Sequence, residues 1–237
     1  MMQKYLFIFL LSSLLGYAQT VEQVFKKLNT QYSAPQPLQY KSEYRLYKAE
    51  NLKKAEEVYG GTYFKNAADD TFVTIGDMEI LNTRKLNLKV SNSERAIVIS
   101  NPVNVIRGEL DMKQVLNLCT IRDFKKILSG WQIALIPKKY SNLPYSLIVI
   151  DVNKEYFLQK QVFYYNSKMN FSKDYRRSDD HLPRLEITFR EYSRTNPSKS
   201  VFSTARYFNT VKGQLVFGAK YKNYEVTDQR IVSNPIK

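Results

Sequence analysis

The sequence predicts an α+β fold that is mainly β: a curved antiparallel sheet or barrel of about a dozen strands, with one helix before it and two short helices within it. Three observations lead to this prediction. Apolar residues recur at helical spacing after Thr20, apolar and polar residues alternate over most of the chain from Leu38 onward, and helical spacing returns between Asp111 and Gly130. No repeat or low-complexity linker is visible, so residues 19–237 are expected to form one domain.

Residues 1–18 have the features of a secretory signal peptide. Lys4 supplies a positive start, residues 5–15 form an apolar run, and Gly16, Tyr17 and Ala18 give a small-x-small end. The run is too short to span a bilayer comfortably, and no cysteine follows it as a bacterial lipoprotein signal would require. We therefore expect a periplasmic protein whose mature chain begins near Gln19.

Composition narrows the choice of partners. The formal net charge is +14, or +13 once Lys4 is removed, and Cys119 is the only cysteine, so no internal disulfide can form. A basic exported protein attracts anionic membrane surfaces or acidic envelope proteins, and export removes nucleic acid from the expected partners. No run of five basic residues occurs, and a solvated basic surface is the simplest interpretation of the charge alone.

The first half of the chain is expected to form a helix and then an antiparallel meander. Thr20 is a good N-cap, Gln23 completes a capping box, and Pro35 ends the helix. Gly76-Asp77 marks a two-residue hairpin turn. Strands are predicted at 38–46, 58–65, 71–75 and 78–82.

The segment RKLNLKVSNSERAIVIS, residues 84–100, is expected to close the first run of strands as a hairpin. A turn centred on Asn92 and Ser93 would pair Leu88 with Ile97, and Leu86 with Ile99. One face of this hairpin is apolar, and because side chains alternate across a strand, a helix, a second sheet or a ligand must cover it.

Two short helices are predicted between residues 111 and 129. The first carries an apolar stripe formed by Met112, Val115, Leu116 and Cys119. The second begins at the N-cap Thr120, turns Ile121, Phe124 and Leu128 inward, and stops at Gly130. Strands then resume at 131–136, 145–152, 155–165, 185–190, 215–217 and 221–228.

The sequence offers little that could carry catalysis. His181, the only histidine, follows Asp179 and Asp180, but three adjacent loop residues rarely converge on one ion, so a solvated loop is expected. Cys119 lies on an apolar stripe and is expected to be a buried thiol. No phosphate-binding loop, nucleophile elbow or zinc spacing occurs. Pairs such as Glu56-Glu57 leave a glycosidase carboxylate pair open, but nothing indicates one, so no enzyme, cofactor or metal is expected.

The order of these elements resembles the LolA/LolB-like superfamily of periplasmic lipoprotein carriers and receptors. The resemblance implies an unclosed half-barrel with a first helix at 20–32, lid helices at 111–129, and strand runs at 38–100 and 131–228. Two local features depart from the carriers. Phe64-Lys65-Asn66 has lysine without proline where the carriers place arginine and proline, and residues 78–81 contain no aromatic residue.

The resemblance implies a non-catalytic protein that holds an acyl chain, possibly that of a lipoprotein, in an apolar cavity beneath a lid. The expected cavity lining is Leu86, Leu88, Ile97, Ile99, Trp131 and Ile133. The expected lid residues are Met112, Val115, Leu116 and Phe124. Two alternatives stay open: the same residues form ordinary core beneath fixed helices, or the protein is a ligand-free scaffold of a cell-envelope assembly.

Overall fold

A computed structural model describes residues 19–102, 112–174 and 176–230. Within these ranges the chain forms one large sheet of twelve strands, two small two-stranded sheets, two α-helices and four short 3₁₀ helices. The predicted fold class, a mainly β α+β fold with an N-terminal helix and an unclosed sheet, is confirmed. The proposed signal peptide, residues 1–18, and the start of the first short helix at Asp111 lie outside the described residues.

The helices are α1, Val21–Ser33, and α2, Met112–Leu118. The strands of the first half are β1 Leu38–Tyr47, β2 Glu57–Lys65, β3 Thr71–Ile75, β4 Met78–Asn82, β5 Asn87–Ser91 and β6 Ala96–Ser100. Those of the second half are β7 Cys119–Ile127, β8 Gly130–Pro137, β9 Tyr145–Asn153, β10 Leu158–Tyr165, β11 Met169–Asn170, β12 Asp180–His181, β13 Arg184–Ser193, β14 Phe208–Val211, β15 Gln214–Phe217 and β16 Glu225–Asp228.

The large sheet has the order β16-β6-β5-β4-β3-β2-β1-β13-β10-β9-β8-β7. Its neighbours are antiparallel except β16 and β6, which are parallel. Among the described residues, β7 and β16 each pair on one side only, so the sheet does not close. The chain leaves β6 near one edge and re-enters at β7 on the other, with α2 in the connection between them.

Helix α1 forms where the sequence predicts it and packs on one face of the sheet, called here the helix face. Thr20 and Gln23 form the predicted capping box. Val24, Phe25 and Leu28 are at most 2% exposed. Burying an apolar side chain of this size contributes about 1.5–3 kcal/mol, so these residues hold the helix on the sheet.

Buried tyrosines fix the C-terminal end of α1 on this face. The hydroxyls of Tyr32 and Tyr192 lie 2.7 Å apart, and Tyr192 donates to the carbonyl oxygen of Leu158. The amide of Leu158 in turn donates to the Tyr32 hydroxyl. Each hydroxyl therefore has a donor and an acceptor, which removes the cost of burying it.

The register of the β5–β6 hairpin differs from the prediction by two residues. Leu88 pairs with Ile99 and Val90 with Ile97, and the turn covers residues 92–95. Arg95 adopts a positive φ of 52° in this turn. The turn is held by distant groups, because the Tyr224 hydroxyl donates to Asn92 Oδ1. A shift of two residues keeps each side chain on its predicted face, since the strand period is two.

The predicted second helix, residues 120–129, is wrong, because Cys119–Ile127 is the edge strand β7. A register shift between Ile121 and Asp123 inserts an extra residue. Ile121 consequently pairs with Leu135, and Phe124 pairs with Ile133. Ile121 and Phe124 therefore lie on the same side of the strand although they are three residues apart in sequence. This spacing imitates a helix, and Gly130 starts β8 instead of ending a helix.

The opposite face of the sheet, called here the back face, has a core of its own. Leu81, Leu88, Ile97 and Ile99 are fully buried there. Residues 201–224, called here the C-terminal segment, cover these side chains. Tyr207 of this segment is also fully buried. Two different segments therefore cover the sheet. Helix α1 covers part of the helix face, and the C-terminal segment covers the back face over strands β3 to β6.

Glu79 ties the C-terminal segment to β4. It accepts hydrogen bonds from the Tyr207 hydroxyl at 2.7 Å and from Asn92 Nδ2 at 3.3 Å, and Lys220 Nζ lies at 3.4 Å. Partial burial acts to raise the pKa of Glu79, but the hydrogen bonds from Tyr207 and Asn92 and the charge of Lys220 outweigh it, and the pKa is lowered. The ionised carboxylate is thus the form that the fold stabilises.

Replacing Glu79 with glutamine is expected to cost about 1–2 kcal/mol at neutral pH, as hydrogen bonds to a charged group are lost. A lowered folded-state pKa contributes stability above the unfolded value of about 4.3, and this contribution is lost as the pH falls through the folded value. Urea unfolding should therefore separate wild type and Glu79→Gln at pH 7, and by a smaller difference at pH 4, below the unfolded value. Glu94→Gln, at an exposed turn position, is the control. An equal difference at both pH values would contradict the assignment.

Candidate functional site

Helix α1 does not cover the whole helix face, and side chains at the strand ends away from α1 stay partly exposed. Helix α1 lies over the ends marked by Leu38 and Tyr63. At the other ends of the same strands, the side chains that alternate onto this face are intermediate in exposure instead of buried. They are Tyr44 and Leu46 of β1, Tyr59 of β2, Phe163 and Tyr165 of β10, and Leu185 and Ile187 of β13.

Strand pairing brings these side chains from separate parts of the chain into one surface. Tyr44 pairs with Tyr59 on one side and with Ile187 on the other. Leu46 pairs with Leu185. Residues at paired positions share a face, so the surface is a continuous apolar and aromatic layer.

A pocket of about 630 Å³ opens on this surface. Its floor is the ends of β1, β2, β10 and β13, and its outer wall is the segment 169–173. The lining residues are Leu46, Glu56, Glu57, Tyr59, Tyr165, Met169, Asn170, Phe171, Ser172, Lys173 and Leu185. The volume falls within the roughly 300–1,000 Å³ of small-molecule pockets.

The tyrosines of this region are neutral and pack as apolar rings. Tyr44 stacks on Tyr59 with centroids 5.5 Å apart, and Tyr145 contacts Tyr165 at 5.1 Å. Burial is the main cause that raises the pKa of Tyr44, Tyr59 and Tyr165 above the usual tyrosine value. These rings can therefore contact an apolar ligand, and the tyrosines themselves offer only hydroxyl dipoles as polar groups.

The outer wall of the pocket is tied to the end of β1 by charged groups. Lys48 Nζ lies 2.7 Å from Asp179 Oδ2 and 5.7 Å from the centroid of the Phe171 ring. The amide of Phe171 donates to the carbonyl oxygen of Asp179. The hydrogen bond from Lys48, followed by that from His181, lowers the pKa of Asp179. This contact holds Phe171 at the pocket.

The two candidates for reactive chemistry take structural positions. His181 Nε2 lies 2.8 Å from Asp179 Oδ1, and the other carboxylate oxygen, Oδ2, binds Lys48. Over residues 19–102, 112–174 and 176–230, no group of three His, Cys, Asp or Glu side chains is placed to hold a metal ion. Cys119 is buried, and burial raises the pKa of its thiol, opposite to what a nucleophilic thiolate needs.

The six residues expected to line the cavity lie on two different faces of the sheet. Leu86, Leu88, Ile97 and Ile99 face the back and belong to the core beneath the C-terminal segment. Trp131 and Ile133 face the helix side, in the cluster that includes α1. The cause lies in the topology: the C-terminal segment, not the short helix, returns over the β5–β6 hairpin. Ligand binding by any of the six stays a prediction.

The expected lid residues come from a helix and a strand instead of two helices. Val115 and Leu116 of α2 pack against the α1 cluster. Phe124 packs there too, but from strand β7. The side chain of Met112 lies outside the described part of the structure. Leu116 and Phe25 line a groove of about 380 Å³ between the two helices.

The pocket residues Leu46, Tyr59 and Leu185 were not selected from the sequence as site residues. Leu46 and Leu185 stand out in the sequence only as members of alternating strands. The available signal was the density of aromatic residues on one face of β1 and β2, where Tyr40, Tyr44, Tyr59 and Tyr63 all fall on the same side.

No protein-family model and no curated protein matches the sequence. Among solved structures, an uncharacterized conserved protein from Thermus thermophilus aligns over 89% of this chain and 100% of its own, with 13% identity and a TM-score of 0.49. A LolA superfamily protein from Nitrosomonas europaea covers 79% of this chain and 99% of its own, with 13% identity and a TM-score of 0.36.

A putative outer membrane lipoprotein-sorting protein domain from Vibrio parahaemolyticus covers 77% of this chain and 96% of its own, with 10% identity and a TM-score of 0.31. In the described residues no helix is long and apolar enough to cross a membrane.

Proposed function

We propose that this protein is an exported, periplasmic binding protein that holds an acyl chain or a similar lipophilic ligand on the helix face, without catalysis. The observation that carries the proposal is the 630 Å³ pocket, which continues into half-exposed tyrosine and leucine side chains. Apolar surface left open to water in a concave site is the usual property of a lipophile-binding pocket. The signal-peptide pattern of residues 1–18 supports export.

Burial of the ligand supplies the binding energy. Removing apolar surface from water contributes about 25 cal/mol per Å², so roughly 300 Å² of acyl chain contributes on the order of 7 kcal/mol before the cost of ordering it. The chain would lie against Leu46, Tyr59 and Leu185. Phe171 would close the outer side.

The pocket entrance suits a ligand with one polar end. Glu56, Glu57 and Lys173 line the pocket together with its apolar groups. Charged side chains at the entrance stay hydrated while the deeper apolar lining contacts the hydrocarbon. An amphiphile can therefore bind with its headgroup at the rim.

Replacing Leu185 with glutamate is expected to weaken binding of a fluorescent fatty acid at least tenfold, because a carboxylate next to the acyl chain loses hydration on binding. Met169→Glu, at a 40% exposed position on the wall, tests the same pocket without touching the core. The matched control is Val58→Glu, since Val58 is 57% exposed and neighbours Tyr59 on the opposite face.

The measurement is a fluorescence titration with the chain from residue 19 onward, together with native mass spectrometry of material purified without delipidation. Unchanged affinity in both Leu185→Glu and Met169→Glu would exclude this pocket. If the wild type neither copurifies with an acyl ligand nor binds the fatty acid, the alternative of a ligand-free envelope scaffold replaces the proposal.

A further inference from the structure

The turn between β7 and β8 presents an almost fully exposed leucine. Leu128 is 94% exposed, the highest value among the exposed large apolar side chains of the described residues. It occupies a two-residue turn with Ser129, because Ile127 pairs directly with Gly130. Such a side chain contributes nothing to the core, and burying it against an apolar phase would contribute about 1.5–3 kcal/mol.

The fold fixes the position of this turn. Gly130 has a φ of 151° and lies so close to β9 that a Cβ there would overlap the carbonyl oxygen of Val152. Gly130 also pairs with Asn153, which places the β7–β8 turn beside the turn between β9 and β10. Leu128 is therefore held at the end of a rigid hairpin.

The surroundings of Leu128 are basic and aromatic. Lys125 and Lys126 are exposed and alternate onto opposite faces of the hairpin, opposite Gln132 and Trp131. Lys154 is exposed in the neighbouring turn, and Lys27 Nζ lies 3.0 Å from the Tyr156 hydroxyl. Three carboxylates lie nearby: Asp123, 4.0 Å from Lys125 Nζ, Glu155 in the neighbouring turn, and Asp151, which accepts a hydrogen bond from Gln132 Nε2 at 2.9 Å.

Trp131 and Tyr156 complete the surface. Their rings stack with centroids 4.8 Å apart, and both residues are partly exposed. Tryptophan and tyrosine are the residues enriched at the boundary between headgroups and acyl chains, and lysines beside them contact anionic headgroups.

We propose that this hairpin end docks on an anionic lipid bilayer, with Leu128 inserted at the headgroup boundary and Lys125, Lys126 and Lys154 on the headgroups. A bilayer fits better than a protein groove, because one protruding leucine with exposed lysines on its own and the neighbouring turn offers little apolar area to bury against a folded partner. With a single apolar anchor, binding is expected to be weak, reversible and sensitive to salt. The inference does not depend on the pocket.

The test is sedimentation of the chain from residue 19 onward, which contains the whole described fold, with vesicles of phosphatidylglycerol and phosphatidylcholine. Leu128→Ser is expected to lower the partition coefficient about tenfold, since a buried leucine side chain is lost. The double variant Lys125→Glu, Lys126→Glu is expected to lower it at least as much, at roughly fivefold for each lysine. Leu182→Ser, at a position 48% exposed elsewhere, is the matched control and should bind as wild type does.

Trp131, the only tryptophan of the chain, gives a second readout three residues from Leu128. Its emission should shift to the blue with anionic vesicles, and brominated acyl chains should quench it in wild type but not in Leu128→Ser. Unimpaired binding of Leu128→Ser, equal binding to pure phosphatidylcholine, or absence of quenching would each overturn the proposal. Concentration-dependent sedimentation without vesicles, lost in Leu128→Ser, would instead assign Leu128 to contact with a second copy and would also overturn it.

Discussion

Replacing Lys65 with methionine is expected to lower the free energy of unfolding by about 2–4 kcal/mol. Lys65 is fully buried at the end of β2, and its Nζ donates to the carbonyl oxygens of Tyr32 and Ala34, at 2.7 and 2.8 Å. These carbonyls belong to the C-terminal end of α1, where helical acceptors lack partners within the helix. Asp69 Oδ1 lies 3.6 Å from the ammonium group and balances its charge.

Methionine has a similar length and fills most of the volume, so the expected loss comes from the polar partners and not from a cavity. The carbonyl oxygens of Tyr32 and Ala34 would each lose a charged donor, and a hydrogen bond from a charged group contributes about 1.5–3 kcal/mol. Ala34 would keep the hydrogen bond that its carbonyl oxygen accepts from the Gln36 amide. The negative end of the α1 dipole would also lose a cation. Because total stabilities are about 5–15 kcal/mol, this single change is large.

Urea unfolding followed by circular dichroism measures the difference. The control is Lys41→Met on the neighbouring strand: Lys41 makes a surface ion pair with Glu191, with about half of each side chain exposed, and its loss should change stability by less than about 1 kcal/mol. Equal effects of the two substitutions would show that the contacts of Lys65 with α1 do not contribute.

The role of Lys65 shows what the sequence could and could not predict. In the sequence, Phe64-Lys65-Asn66 is only a departure from the arginine and proline of the carriers. The strand pattern places Lys65 on the same face as Leu38 and Tyr63, which is correct. The alternation of side chains along a strand does not reveal that the end of α1 lies above this position, because only tertiary packing brings the helix there.

Regular elements were predicted well, because local periodicity determines them. Strands β3 and β4 have the predicted bounds. Prediction failed where an irregularity changed the period, as in the bulge after Ile121, or where distant residues set the turn, as in the contact of Tyr224 with Asn92. Neither cause is contained in a window of neighbouring residues.

The candidate site was harder to predict than the fold, because the sheet carries apolar side chains on both faces. Leu88 and Ile133 look alike in sequence, yet they face opposite sides and are covered by different segments. The pocket residue Leu185 differs from them only in remaining half exposed. The exposure of Leu185 depends on how far α1 extends over the helix face, and the alternation of residues along a strand does not predict this.

Replacing Gly130 with alanine is expected to destabilise the protein by about 3 kcal/mol or more, which is exceptional for adding one methyl group. The φ of 151° is strained for any residue with a Cβ, and the new atom would overlap the Val152 carbonyl oxygen and lie 2.8 Å from the Asn153 carbonyl carbon. Both contacts are with the backbone of β9, so a rotamer change cannot relieve them.

Gly60→Ala is the matched control, because a Cβ at Gly60 on strand β2 meets no atom within 4 Å. It should leave the urea midpoint nearly unchanged, while Gly130→Ala should shift it strongly. The Gly130 variant also separates the two surfaces, since Gly130 positions Leu128 and lies far along the sheet from the pocket strands β1 and β2. In conditions where the variant stays folded, vesicle binding should fall and fatty-acid binding should persist. A Gly130→Ala protein as stable as Gly60→Ala would mean that the β7–β8 hairpin moves freely against β9, and the rigid presentation of Leu128 would then be wrong.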